Sequence, residues 1–278
     1  MSKFWILRTL RRLNFLKNRR IDFELEVNDK KFVVPLISEI GIDNHKVNEI
    51  WMLDLFKKIN PSADDILLDV GANTGQTLLK WKGVNSAAPY YGFEPMPKCI
   101  EYLEDLIAIN NFDNTVLIDK ALFSSEGDKV LYYHKKDETD RTASLVETHR
   151  TSHDSETVQA ITFNKFLEKY PLKKENIKVI KIDVEGAELE VLQELSKFIK
   201  TQQPIVIIEI LAYSSKADKA RLKATSDFIK SFPHEFYRIK HKKNDHYNGL
   251  KSIEEVAYPI PKGQSDYILI PPGLKIFD

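Results

Sequence analysis

One stretch constrains the fold more than any other. Ile66-Leu67-Leu68-Asp69-Val70-Gly71-Ala72-Asn73-Thr74-Gly75-Gln76 reads as a buried strand, a glycine turn and the opening of a helix. An apolar run such as Ile66–Val70 suits the centre of a parallel sheet, which is covered on both faces. Gly71 and Gly75 let the backbone come close to a ligand, and Asp69 stands near the strand end as a fixed acceptor. Such a turn is a nucleotide cradle, but alone it is a weak signal that plain strand-to-helix connections share.

The rest of the chain repeats the pattern. Strands are expected at Ile66–Val70, Tyr90–Phe93, Thr115–Asp119, Lys178–Asp183 and Pro204–Ile210, with helices near Thr77–Trp81, Pro97–Asn110 and Ala187–Lys200. Strands alternating with helices indicate a doubly wound α/β domain with a parallel sheet. A polar helix, Lys216–Phe232, follows; two further apolar runs, Phe236–Ile239 and Asp266–Ile270, would complete a seven-stranded sheet, the last strand antiparallel. Ahead of this unit, Ile21–Ile37 alternates apolar and polar residues around Asn28-Asp29, the pattern of a β-hairpin, and His45–Ile59 reads as a helix stopped by Pro61. The expected organisation is an extension over residues 1–60 and one Rossmann-like domain over 61–278. Ala121–His134 reads as a second hairpin about Glu126-Gly127-Asp128. The polar stretch Lys135–Glu156 reads as a long loop, and a loop of that length in a compact domain is a candidate lid.

Charge excludes some partners. Among 278 residues, 41 basic and 41 acidic side chains cancel, so no nucleic-acid partner is expected. The single Cys99 excludes an internal disulfide and fits a reducing cytoplasm. Residues 1–20 carry seven Lys/Arg and no acid among large apolar side chains. A basic arm of that kind suits peripheral contact with an anionic membrane on its inner face, or packing on the domain itself or on a partner subunit. No apolar run approaches the roughly eighteen residues that would span a bilayer.

Two further clusters carry chemistry. Tyr90-Tyr91-Gly92-Phe93-Glu94 ends in an acid 23 residues after Gly71, near the spacing of about 20 at which a carboxylate reaches ribose hydroxyls. The turn lacks the third glycine of the dinucleotide fingerprint. With Asp69 at the strand end, a cationic, phosphate-free nucleoside such as S-adenosylmethionine is favoured over NAD. Lys181-Ile182-Asp183-Val184-Glu185-Gly186-Ala187-Glu188 then brings three carboxylates to the carboxyl end of a strand, where open α/β sheets bind ligands. Glu209 closes another apolar run, Ile205–Ile208, and an acid there is costly unless it is partnered or used.

Asp69-Val70-Gly71-Ala72-Asn73-Thr74-Gly75-Gln76, Gly92-Phe93-Glu94-Pro95, the Lys181–Glu188 block and Ile208-Glu209 together resemble the FkbM-type S-adenosylmethionine-dependent methyltransferases, over roughly residues 65–212. The resemblance implies a class I methyltransferase fold and O-methylation of a hydroxyl on a sugar, glycan or related small-molecule acceptor. The cofactor-binding residues expected are Asp69, Gly71, Asn73, Gly75, Gln76, Glu94, Pro95 and Asp119, with Glu94 on the ribose and Asp119 near the adenine. Asp183 is the first candidate for base or acceptor clamp and Glu209 the second. No metal is expected, because no two histidines are spaced as a ligand pair. The alternatives are a nicotinamide oxidoreductase, which should show the missing glycine, and a nucleoside-binding scaffold without catalysis.

Overall fold

The computed structural model describes residues 19–38, 40–134, 143–146, 153–211, 216–258, 260, 264–275 and 277. The chain opens with β1 (Arg20–Val27), β2 (Lys30–Ile37), a 3-10 turn at Ile42–His45, α1 (Ile50–Ile59), β3 (Ile66–Val70) and α2 (Gln76–Val84). It continues through β4 (Tyr90–Phe93), α3 (Pro97–Asn110), β5 (Thr115–Ile118), β6 (Ala121–Leu122), β7 (Gly127–His134), β8 (His153–Ile161) and α4 (Phe163–Lys169). Next come β9 (Ile177–Ile182), α5 (Glu188–Gln202), β10 (Ile205–Glu209), α6 (Lys216–Ile229), β11 (Glu235–His241), β12 (Tyr247–Ser252) and β13 (Asp266–Ile270).

The main sheet has the order β12-β11-β13-β10-β9-β3-β4-β5. Neighbours from β10 to β5 pair in parallel, and β13 runs antiparallel to β10. Every residue of Ile66–Val70 is buried. Leu67 packs toward α1 and α2, while Ile66, Leu68 and Val70 pack with residues of α4, α5 and α6. That double covering is why the stretch is apolar throughout, and each fully buried leucine contributes about 1.5–3 kcal/mol. Because β4 lies on one side of β3 and β9 on the other, the strand order reverses at β3. A crevice opens at such a reversal, beyond the carboxyl ends of the strands.

The hairpin β1–β2 forms as expected, with Asn28 and Asp29 both at positive φ, a conformation these two residue types tolerate. It is pinned to α3: the Tyr102 hydroxyl donates to Pro35 O at 2.9 Å, and Asn110 bonds both the N–H and the carbonyl of Val33.

Three expectations need correction. The sheet has eight strands rather than seven, the added one being β12 at the edge. Its sequence, Tyr-Asn-Gly-Leu-Lys-Ser, lacks a buried run because it pairs only with β11. The supposed hairpin over Ala121–His134 does not exist: β6 and β7 each pair with β8, which begins inside the stretch read as loop. Among its described side chains, Val158, Ala160 and Ile161 are the buried ones, so its apolar alternation is short. Finally, α1 starts at Ile50, after a separate 3-10 turn.

Residues 1–18, 135–142 and 147–152 lie outside the described residues, so the basic arm and most of the candidate lid are not among them. Among the described residues, no helix is long and apolar enough to cross a membrane.

Candidate functional site

Three strand ends meet at the reversal and are stitched by backbone bonds. The N–H groups of Gly71 and Ala72 both donate to Phe93 O at 3.0 Å, and the Asp183 N–H donates to Val70 O at 3.0 Å. Gly71 sits at φ +92°, where a Cβ would lie 1.9 Å from Asp183 O. Glycine alone fits there, and this close approach is what brings the Asp183 loop beside the turn.

The cleft beyond these ends has two lobes that share Gly71, Asn73, Asp183 and Glu185. One lobe, of about 640 Å³, is largely apolar, lined by Phe93, Pro95, Met96, Leu122, Leu131, Leu145 and Val184. Ala143 and Leu145, from the candidate lid, form part of its wall. The Glu94 carboxylate also lines it, only 5% exposed. Its Oε2 accepts the Asn73 N–H at 2.7 Å and its Oε1 accepts the Met96 N–H at 2.9 Å. A carboxylate has about four acceptor positions, so two hydroxyl donors still have room. Burial, opposed by those two N–H groups, pushes Glu94 up to about 7. An apolar slot with a fixed acceptor suits a nucleoside: a flat base against the side chains and ribose hydroxyls on the acid.

The second lobe, of about 480 Å³, is polar: Glu49, Thr74, Gln76, Thr77, Lys181, Asp183, Glu185 and Glu209 line it. Ile208 lies opposite Ile182 in the parallel β10–β9 pair. The next residues, Glu209 and Asp183, therefore leave adjacent strands side by side, about 4.8 Å apart at the backbone. Across the antiparallel pair, Glu209 faces Asp266. Ser265 Oγ donates to Glu209 Oε1 at 2.9 Å. Burial, and then the charge of Asp183, pushes Glu209 up to about 7. Burial and the charge of Glu209 raise Asp266 well above the usual carboxylate range. The ring of His241 lies 3.4 Å from Asp266, and burial lowers its affinity for a proton.

Beneath Asp183 lies Lys181, 6% exposed. Its Nζ is 3.1 Å from Asp183 Oδ2, 3.4 Å from Asp69 Oδ1 and 3.1 Å from Gly71 O. Burial alone lowers Lys181, but Asp183 and Asp69 outweigh it and raise the ammonium above its usual range. Asp69 is fully buried and also accepts the Tyr90 hydroxyl at 2.5 Å.

The expected site residues therefore divide. Gly71, Asn73, Glu94, Pro95 and Asp183 line the apolar lobe; Gln76 and Glu209 line the polar one. Asp69 lines neither and holds Lys181 instead. Gly75, at φ +82°, turns the chain against Leu103 and Leu106 of α3. Asp119 is exposed beyond β5 and lines neither lobe. Sequence reasoning gave no role to Lys181, Tyr90, Glu49 or Asp266. For Lys181 the signal was present: a lysine between Ile180 and Ile182 in a buried strand is costly unless paired, the argument that singled out Glu209.

Comparison with known proteins names this architecture. A hexuronic acid methyltransferase of Haloferax volcanii, AglP, is 28% identical over 231 residues, 76% of this chain and 90% of the relative. Among solved structures, methyltransferase FkbM of Methylobacillus flagellatus matches with a TM-score of 0.45 at 15% identity, covering 74% of this chain and 44% of that one. The S-adenosylhomocysteine-bound methyltransferase PaMTH1 of Podospora anserina matches with a TM-score of 0.43 at 10% identity, covering 80% and 76%. Residues 69–238, more than half of the chain and the part that holds most of both lobes, match the methyltransferase FkbM domain. The chain belongs to the FkbM methyltransferase family, whose cofactor is S-adenosylmethionine.

Proposed function

We propose that this methyltransferase O-methylates a hydroxyl of a sugar, glycan or related polyol, with the nucleoside of the cofactor in the apolar lobe and the acceptor in the polar one. The observation that carries the reading is Glu209, a titratable acid beside Asp183 in the polar lobe, across the shared wall from Glu94. The hexuronic acid named for the Haloferax relative supports a sugar acceptor.

Bound S-adenosylmethionine supplies the methyl group and a good leaving group. What the chain must add is position and a proton acceptor. Glu94 holds the ribose, and Gly71 and Asn73 form the wall between the lobes. Asp183, oriented by Lys181, accepts a hydrogen bond from the acceptor and fixes its orientation. Glu209 takes the hydroxyl proton, because its affinity for a proton is matched to neutrality. This reverses the expected ranking, in which Asp183 is the first candidate for base and Glu209 the second. Glu49, which precedes α1, lines the polar lobe, so the N-terminal extension takes part in acceptor choice.

A pH profile follows. Below about 7 Glu209 holds a proton and cannot accept another. At saturating substrates kcat should climb about tenfold per pH unit on the acid side and level off above neutrality. A profile flat from pH 5.5 to 8 would remove Glu209 from the role. The activity itself is tested by labelled methyl transfer from S-adenosylmethionine into a panel of free sugars, nucleotide sugars and glycan fragments. Thermal shift with S-adenosylhomocysteine and NADH separates the transferase from an oxidoreductase: selective stabilisation by NADH contradicts the proposal.

A further inference from the structure

The loop after β9 brings Asp183 and Glu185 to the wall that the two lobes share. Its backbone is strained: Glu185 and Gly186 stand consecutively at positive φ, +53° and +113°. A residue such as glutamate rarely adopts that region and stays there only where its surroundings hold it.

The holding groups converge on Gly186. Its N–H donates to Glu188 Oε1 at 2.7 Å, and Glu188, the first residue of α5, is buried. Its carbonyl accepts from Arg221 Nε at 2.8 Å. Arg221 belongs to α6, and another nitrogen of the same guanidinium pairs with Glu190 of α5. A planar guanidinium can serve two acceptors at once in a fixed geometry. Its base is firm as well, because Leu222 and Ile229 of α6 share a core with Leu192 and Leu195 of α5. On another side, a Cβ at Gly186 would lie 3.5 Å from Ser144 Oγ, and the neighbours of Ser144, Ala143 and Leu145, wall the apolar lobe. Arg221 itself lines neither lobe.

We propose that Arg221 is a positioning residue of this methyltransferase: through the Gly186 carbonyl it holds the 183–187 loop in the form that receives the cofactor and turns Asp183 toward the acceptor. The proposal rests on the reading above that places the cofactor nucleoside in the apolar lobe, whose wall includes Val184, Glu185 and Ala187 of this loop. Without the clamp the strained loop relaxes, and only a fraction of the molecules remains ready to bind.

The test compares the full-length wild type with Arg221→Met and Glu190→Gln. Methionine keeps much of the aliphatic stem but donates no hydrogen bond. Glutamine at 190 removes the ion pair and leaves the bond from Arg221 to Gly186. Calorimetric titration with S-adenosylhomocysteine should show a Kd about 5–10-fold weaker in Arg221→Met, since affinity falls with the fraction of receptive molecules, and within about twofold of wild type in Glu190→Gln. Hydrogen exchange at the amides of residues 183–187 should speed up in Arg221→Met alone and return toward the wild-type rate at saturating S-adenosylhomocysteine. If Arg221 merely ties α6 to α5, both variants behave alike. Equal effects in the two variants therefore overturn the proposal, as does wild-type affinity or wild-type exchange of the loop in Arg221→Met. Failure of S-adenosylhomocysteine to bind the wild type is a separate result, which strikes the cofactor reading instead.

Discussion

Glu209→Gln is expected to lower kcat by about 10²–10⁴, the scale of losing a general base, while leaving the fold and the cofactor affinity unchanged. The amide keeps the shape of the side chain, and its oxygen still accepts from Ser265 Oγ, which bonds Glu209 Oε1 at 2.9 Å. What it loses is the ability to take a proton. Asp266, its partner across the β10–β13 pair, is itself raised well above the usual carboxylate range by burial and by the charge of Glu209. Asp183 is the competing candidate, and its Oδ2 is held in an ion pair with Lys181 at 3.1 Å. Turnover within about threefold of wild type would therefore transfer the role of base to Asp183.

The second large effect is on stability. Lys181→Met removes the cation shared by Asp69 and Asp183 and should cost about 3–5 kcal/mol, as for other buried pairs deprived of one partner. Asp69 has no exposed surface and nothing but the Tyr90 hydroxyl left to satisfy it. Its uptake of a proton limits the loss toward the lower end of that range. Urea unfolding checks this through the midpoint and slope. A change below about 1 kcal/mol would mean that the pair contributes no more than a surface salt bridge. The outcome matters for function too, since Lys181 also bonds Gly71 O at 3.1 Å and so links the strand-end turn to the Asp183 loop.

Much of this was legible in the sequence, for physical reasons that differ from residue to residue. The run Ile66–Val70 stands out because it is covered on both faces, and α3 spans Pro97–Asn110 as expected because proline opens it and its buried residues recur with helical spacing. Glu209 could be singled out because an acid after four buried aliphatic residues needs a reason. The strands β8 and β12 were hidden because each packs weakly: β8 buries a short apolar row and β12 has a partner on one side only. Glu49 was hidden for another reason. It enters the cleft from the residue before α1, at φ +49°, and no spacing rule ties that position to β9 or β10. Asp266 acquires its meaning only through the antiparallel register that sets it against Glu209.

The central claim is that one cleft divides into a cofactor lobe governed by Glu94 and an acceptor lobe governed by Glu209. Calorimetric titration of S-adenosylhomocysteine into Glu94→Ala and Glu209→Gln tests it most directly. The Glu94 variant should lose about 1.5–3 kcal/mol of affinity, the worth of hydrogen bonds to a charged group, and the Glu209 variant should bind as wild type does. Full affinity in Glu94→Ala together with lost affinity in Glu209→Gln would place the nucleoside in the polar lobe and contradict the account.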